Sequence, residues 1–221
     1  MNLALRIWRS SLGKKFLMAL TGLVLFGFVI GHLLGNLQIF IPDGGAAIDA
    51  YGKFLQSSKG LLWTMRIGLL LSVLLHIVCA IELTAQNKSA RPEPYKHRDW
   101  RHATYAARTM MISGPLLALF VIYHLGHFTT GHFAPQGFEH LKVHDNMILG
   151  FGVWWASTAY IVAMILLGTH LYHGGWSMFQ SVGINHPRWT PILKKGSAVA
   201  AFVITAGYIS IPIAIWAGLV K

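Results

Sequence analysis

The chain alternates between long apolar runs and short polar connections. Five runs are each long enough to form a helix across a hydrocarbon layer of about 30 Å, which takes about 20 residues. They fall at roughly 15–41, 61–85, 105–130, 147–180 and 196–219. The connections carry turn signals, among them Pro42-Asp43-Gly44-Gly45, Arg91-Pro92-Glu93-Pro94 and His186-Pro187, which punctuate helices. No internal repeat or low-complexity tract interrupts the pattern, and no stretch is left over for a soluble domain. The expected fold is a single all-α domain over 1–221, a bundle of five transmembrane helices.

Composition agrees with lipid as the main solvent. Of the residues, 54% are hydrophobic and 11% charged, and the mean hydropathy is +0.53, whereas soluble domains are about one quarter charged. The net charge of +11 raises the question of a nucleic-acid partner. The Lys and Arg residues lie between apolar runs rather than on a soluble face, so no nucleic acid is expected and membrane lipid is. Their distribution sets an orientation. Arg6, Arg9, Lys14 and Lys15 precede the first run, Lys88, Arg91, Lys96, Arg98 and Arg101 follow the second, and Arg188, Lys194 and Lys195 follow the fourth. Only Lys53, Lys59, Lys142 and Lys221 mark the other side. Positive charge collects on the cytoplasmic side, which predicts a cytoplasmic amino terminus and a carboxyl terminus outside. The first apolar run exceeds the about 7–15 residues of a cleaved leader and is read as a span.

Cysteine usage narrows the chemistry. The single Cys79 excludes an internal disulfide, a thiolate-held iron–sulfur cluster and a C-x-x-C-H site for covalently attached haem.

Histidine is the residue that calls for chemistry. Six of the 12, His97, His102, His132, His140, His144 and His186, fall in connections and are expected to be solvated. The other six, His32, His76, His124, His127, His170 and His173, lie inside spans, where an ionisable group is costly and has a buried partner. An ordinary hydrogen bond to a neighbouring helix would satisfy any one of them alone. Their depths form a pattern, however. His32 lies 17 residues after Lys15 and His124 lies 16 after Arg108, on helices running the same way. His76 lies 12 before Lys88 and His170 lies 13 before Gly183, on helices running the other way. At 1.5 Å per residue this gives two pairs at two levels, offset by roughly 10 Å.

Two imidazoles from opposing helices at one depth can fill both axial positions of a haem iron, which then carries electrons rather than binding oxygen. The bundle is accordingly expected to hold haem between its helices. Gly27, Gly31 and Gly35 recur every four residues beside His32 and offer a groove for a flat macrocycle, or a close helix–helix contact. Gly152 lies 18 residues before His170, five turns along one face. The i, i+3 pairs His124/His127 and His170/His173 also allow a zinc or non-haem iron site. Such iron sites call for carboxylates, and Glu82 is the only acid at membrane depth. His127 and His173 are expected to donate to propionates or to the axial imidazoles.

These residues resemble the five-helix, two-haem cytochrome b subunit of prokaryotic succinate:quinone oxidoreductase (complex II) and its fumarate reductase relatives. The matching pieces are Phe28-Val29-Ile30-Gly31-His32-Leu33-Leu34-Gly35-Asn36, Leu74-Leu75-His76 with Thr84-Ala85-Gln86-Asn87, and Phe120-Val121-Ile122-Tyr123-His124. The most specific is His170-Leu171-Tyr172-His173-Gly174-Gly175-Trp176-Ser177 with its trailing Phe179-Gln180-Ser181-Val182-Gly183. The resemblance covers nearly the whole chain, including Ala50-Tyr51-Gly52-Lys53-Phe54-Leu55. It implies two haem b groups, with His32 and His124 on the outer iron and His76 and His170 on the inner one. It also implies a flavoprotein subunit and an iron–sulfur subunit as cytoplasmic partners, a quinone (menaquinone or another) as substrate, and a place in the prokaryotic inner membrane. One position departs: some fumarate reductases carry a Glu two residues before the fourth-helix haem histidine, and here Gly168 stands there. That favours succinate oxidation over the reverse reaction. A cytochrome b anchor of another dehydrogenase, such as a hydrogenase, and a non-redox transporter are the remaining readings. The quinone site is expected toward the outer leaflet, with Asp49, Tyr51 and Lys53 as candidates and Gln56, His140, His144 and Asp145 nearby.

Overall fold

A computed structural model describes residues 8–90 and 104–221. Among these residues the secondary structure is helical throughout, with no strand. The helices are α1 (Ser11–Asn36), α2 (Ala46–Ser57), α3 (Lys59–Ser89), α4 (Tyr105–His124), α5 (Val143–Gly152), α6 (Trp154–Ser181) and α7 (Thr190–Trp216). Five of them, α1, α3, α4, α6 and α7, are long and apolar enough to cross a membrane. Side-chain caps start two of these: the Ser10 hydroxyl accepts from the Gly13 N–H at 2.9 Å, and Thr104 accepts from Ala107 at 3.1 Å, satisfying N–H groups a helix start leaves orphaned.

The bundle is turned inside out relative to a soluble protein. Within the apolar window of each long helix no more than 33% of residues are buried, and Leu34, Leu70, Leu119, Ile122, Val199 and Phe202 point outward. Apolar surface on that scale needs a hydrocarbon cover. Exposed Trp63, Trp154, Trp155 and Trp216 mark one end, and exposed Trp189 with half-buried Trp8 the other, as interfacial aromatic belts do. These are the properties of a multi-pass membrane protein.

Cross-contacts fix how the helices run. Lys14 meets Glu82 and Thr21 meets His76, so α1 and α3 are antiparallel. Ser113 meets His170 and Tyr160 meets His124, so α4 and α6 are antiparallel. Helix α6 packs most extensively on α7, and α1 packs on α3 and on α6. Small residues permit the α6–α7 approach: a Cβ at Gly168 would collide with the Thr205 hydroxyl, and one at Gly175 would lie 2.8 Å from Ser197 Oγ.

The fourth predicted span, 147–180, is two helices. The chain breaks at Val153, whose backbone is extended (φ −81°, ψ 112°). The carbonyl freed at Phe151 accepts from the Ser157 hydroxyl at 2.6 Å and from the Trp216 indole at 2.9 Å, which is how a helix break survives away from water. Gly152 consequently shares no helix face with His170. Helices α2 and α5 pack together and cap one end of the bundle, over a core of Ile39, Ile48, Met147, Phe151, Tyr160 and Ile211. Gly45 makes the junction possible: its φ is +88°, and a Cβ there would run into the His144 ring.

Candidate functional site

The structure brings the four deep histidines together as two pairs. The rings of His32 (α1) and His124 (α4) are 5.7 Å apart, nearly perpendicular at 79°. Those of His76 (α3) and His170 (α6) are 6.3 Å apart at 53°. Neither α1 with α4 nor α3 with α6 is among the closely packed helix pairs, so each pair reaches across a gap between backbones. Within neither pair does a hydrogen bond join the two rings.

Three of the four rings are held from behind through Nδ1. The Thr21 hydroxyl lies 3.2 Å from His76 Nδ1, the Ser113 hydroxyl 3.4 Å from His170 Nδ1 and the Tyr160 hydroxyl 3.2 Å from His124 Nδ1. The Met18 carbonyl, which accepts from the Thr21 hydroxyl, also lies within hydrogen-bonding reach of the His76 ring. Helix α1 carries Thr21 at one level and His32 at the other, and α4 carries Ser113 and His124. Both intervals are 11 residues, or about 16 Å along each axis. The levels are thus further apart than the roughly 10 Å that counting from the helix ends gives, because Lys14 is level with Glu82 and Lys88 lies six residues beyond it.

The glycines divide by role. A Cβ at Gly35 would fall 2.5 Å from Tyr51 Cε1, so Gly35 serves close packing. A Cβ at Gly27 or Gly31 would meet nothing within 4 Å, and one at Gly22 would sit 3.4 Å from the His76 ring. Phe28 stacks on His32 with ring centres 5.3 Å apart. Open space therefore lines the α1 face beside the His32 pair.

His127 is buried on a π-turn, Leu125–Thr129, that extends α4; such turns recur at functional sites. Its Nδ1 lies 3.2 Å from the same Tyr160 hydroxyl that serves His124. It also lines a cavity of about 220 Å³ with Phe133, Ala134, Pro135, Val153, Trp155 and Ala156. His173 stands one turn from His170, its Nδ1 buried and without a hydrogen-bond partner among the described residues. No three His, Cys, Asp or Glu side chains converge among the described residues, so the donor set for a zinc or non-haem iron centre is missing there.

The expected quinone residues have other engagements. Asp49 Oδ1 accepts the His144 N–H at 2.9 Å and so clips α2 to α5, Tyr51 lies against Gly35, and Lys53 is exposed. His144, expected to be solvated, is buried by that junction. Arg91, Lys96, His97, Arg98, Arg101 and His102 lie outside the described residues. Sequence reasoning missed Thr21, Ser113 and Tyr160; the available signal was a hydroxyl residue at the depth of each histidine.

Comparison of the chain with protein families, characterised proteins and solved structures returned no match.

Proposed function

We propose that the chain is a di-haem cytochrome b membrane anchor that relays electrons between a cytoplasmic iron–sulfur subunit and a membrane quinone, in a succinate dehydrogenase. The observation that carries this reading is the spacing of the two imidazole pairs. An imidazole nitrogen sits about 2 Å from a bound first-row metal, so two rings on opposite sides of one iron have centres about 6 Å apart. The pairs at 5.7 and 6.3 Å fit that separation. The backs of three rings are tied to hydroxyls, as metal-ligating histidines are tied, and Gly27 and Gly31 leave room beside one pair.

Haem b held by His32 and His124 and by His76 and His170 would supply one-electron redox chemistry at each level. Thr21 and Ser113 orient His76 and His170, and Tyr160 orients His124. The surrounding apolar helices keep water away. By the charge distribution the amino terminus is cytoplasmic, which makes the His76–His170 pair the inner one and the His32–His124 pair the outer one. The cytoplasmic connections, including Arg98 and Arg101, would seat the iron–sulfur subunit, with the flavoprotein beyond it. A prokaryotic inner membrane is the setting. Gly168, walled in by Thr205, supports succinate oxidation over fumarate reduction.

For the quinone head group, the cavity beside His127 supports a second placement alongside Asp49, Tyr51 and Lys53. It is half-open and has His127 in its lining, the ring that Tyr160 links to His124.

Purification of the native assembly with haem and flavin quantified tests the proposal. Two haems per chain with a co-purifying flavoprotein are expected. A chain without a haem spectrum would end the reading, and haem with a hydrogenase subunit in place of the flavoprotein would redirect it.

A further inference from the structure

At one end of α6 two buried ring nitrogens have no hydrogen-bond partner among the described residues. The Trp176 indole N–H and His173 Nδ1, a donor in the tautomer that places the ring proton there, are both shut off from solvent. They are three residues apart on one helix face, with ring centres 5.5 Å apart in a T arrangement. A buried N–H without an acceptor costs about 1–3 kcal/mol, so two neighbouring ones on one face mark a place where an acceptor belongs. The third member is Lys194 in the second turn of α7, whose Nζ stands 4.5 Å from the Trp176 ring centre. Lys194 brings a full positive charge, and a helix amino terminus adds a partial one. Gly175 against Ser197 holds α6 and α7 close enough for the three groups to share one space.

We propose that His173, Trp176 and Lys194 form a binding site for an oxyanion, a carboxylate or phosphate that accepts from both ring N–H groups and neutralises the lysine. An acceptor-only group with two or more oxygens suits the two donors and the ammonium together. A neutral carbonyl would leave the charge uncompensated. Two sources supply that chemistry at this depth. One is a propionate of a haem held by His76 and His170, since His173 stands one turn from His170; this source rests on the function proposed above. The other is the headgroup of an anionic phospholipid, which does not.

The experiment uses the full chain in detergent, wild type and the double variant Trp176→Phe/Lys194→Met, with Lys194→Gln alone as a milder change. In the first arm each haem-free protein is titrated with haem and with haem dimethyl ester, which lacks the carboxylates. If a propionate fills the site, one of the two sites in the wild type binds the ester at least tenfold more weakly than haem. In the double variant that preference disappears. In the second arm the haem-free proteins are exposed to cardiolipin and weighed by native mass spectrometry. If a headgroup fills the site, the wild type retains lipid, both variants lose it, and the haem-to-ester ratio is the same in all. No ester preference together with equal lipid retention overturns the proposal. A wild type that binds no haem would sink the cytochrome reading, while the lipid arm would still decide this one.

Discussion

The Tyr160 hydroxyl lies 3.2 Å from Nδ1 of His124, joining the middle of α6 to the end of α4. The same oxygen is 3.2 Å from Nδ1 of His127. A phenol has one proton to give, so it donates to one ring and accepts from the other. If His124 holds iron through Nε2, its Nδ1 carries the hydrogen and Tyr160 accepts it, which directs the phenol proton to His127. Tyr160→Phe should keep both haems and lose about 2 kcal/mol of stability, at about 1 kcal/mol per bond. The midpoint potential of one haem should move and that of the other should not. A redox titration that finds both potentials unchanged would reduce Tyr160 to a packing residue.

The pairing itself is tested at its four members. His32→Ala or His124→Ala should remove one haem, and His76→Ala or His170→Ala the other, so each variant retains about half the absorbance of the reduced haem band. Combining His32→Ala with His124→Ala should cost no more haem than either alone, because both serve one iron. Additive losses across that pair, read in the same spectra, would refute the shared site.

Much of this was legible in the sequence because lipid imposes a simple rule: a helix must be apolar over its full crossing, so five spans stand out. The break at Val153 did not stand out. Phe151, Trp154 and Trp155 continue the apolar run, and the groups that satisfy the freed carbonyl, Ser157 and Trp216, are 6 and 65 residues from Phe151. The His32–His124 and His76–His170 pairs could be read because helical rise converts position into depth. Their hydroxyl supports could not, since Thr21 and Ser113 look like any small polar residue in a span. Lys14 reads as one of several basic residues that set orientation. In the fold it is buried in α1 and paired with Glu82 at 2.5 Å.

That ion pair yields a third expectation. Truncating one partner of a buried pair costs about 3–5 kcal/mol because the other charge is stranded. Glu82 keeps 37% of its side-chain surface exposed, so water takes up part of the loss and about 2 kcal/mol is expected for Lys14→Met. Replacing both, as Lys14→Met/Glu82→Leu, should recover most of it. Thermal unfolding in detergent reads this directly. The single variant should also loosen the haem at His76, because the ion pair and the Thr21–His76 contact lie two turns apart on the same α1–α3 seam. A double variant no more stable than the single would show that the charge pair is not what joins these helices.

The last expectation separates a cofactor groove from a lipid-facing stripe. Gly27 and Gly31 each face open space, and Gly31 precedes His32 directly, whereas Gly35 one turn on is closed by Tyr51. A Cβ at position 31 meets nothing within 4 Å in the chain itself, and replacing a helical glycine favours the helix by up to about 1 kcal/mol. If only lipid occupies the space, Gly31→Leu should be as stable as the parent or more so, with its haem content unchanged. If a macrocycle lies between His32 and His124, the same side chain competes with it, and that haem should be lost while the His76–His170 haem remains. Gly35→Leu is the control, since it drives into Tyr51 and should destabilise the fold whatever is bound. Haem content and melting temperature, measured together for the two variants, decide between the cases. Gly31→Leu with two haems and an unchanged melting temperature would remove the groove from the site.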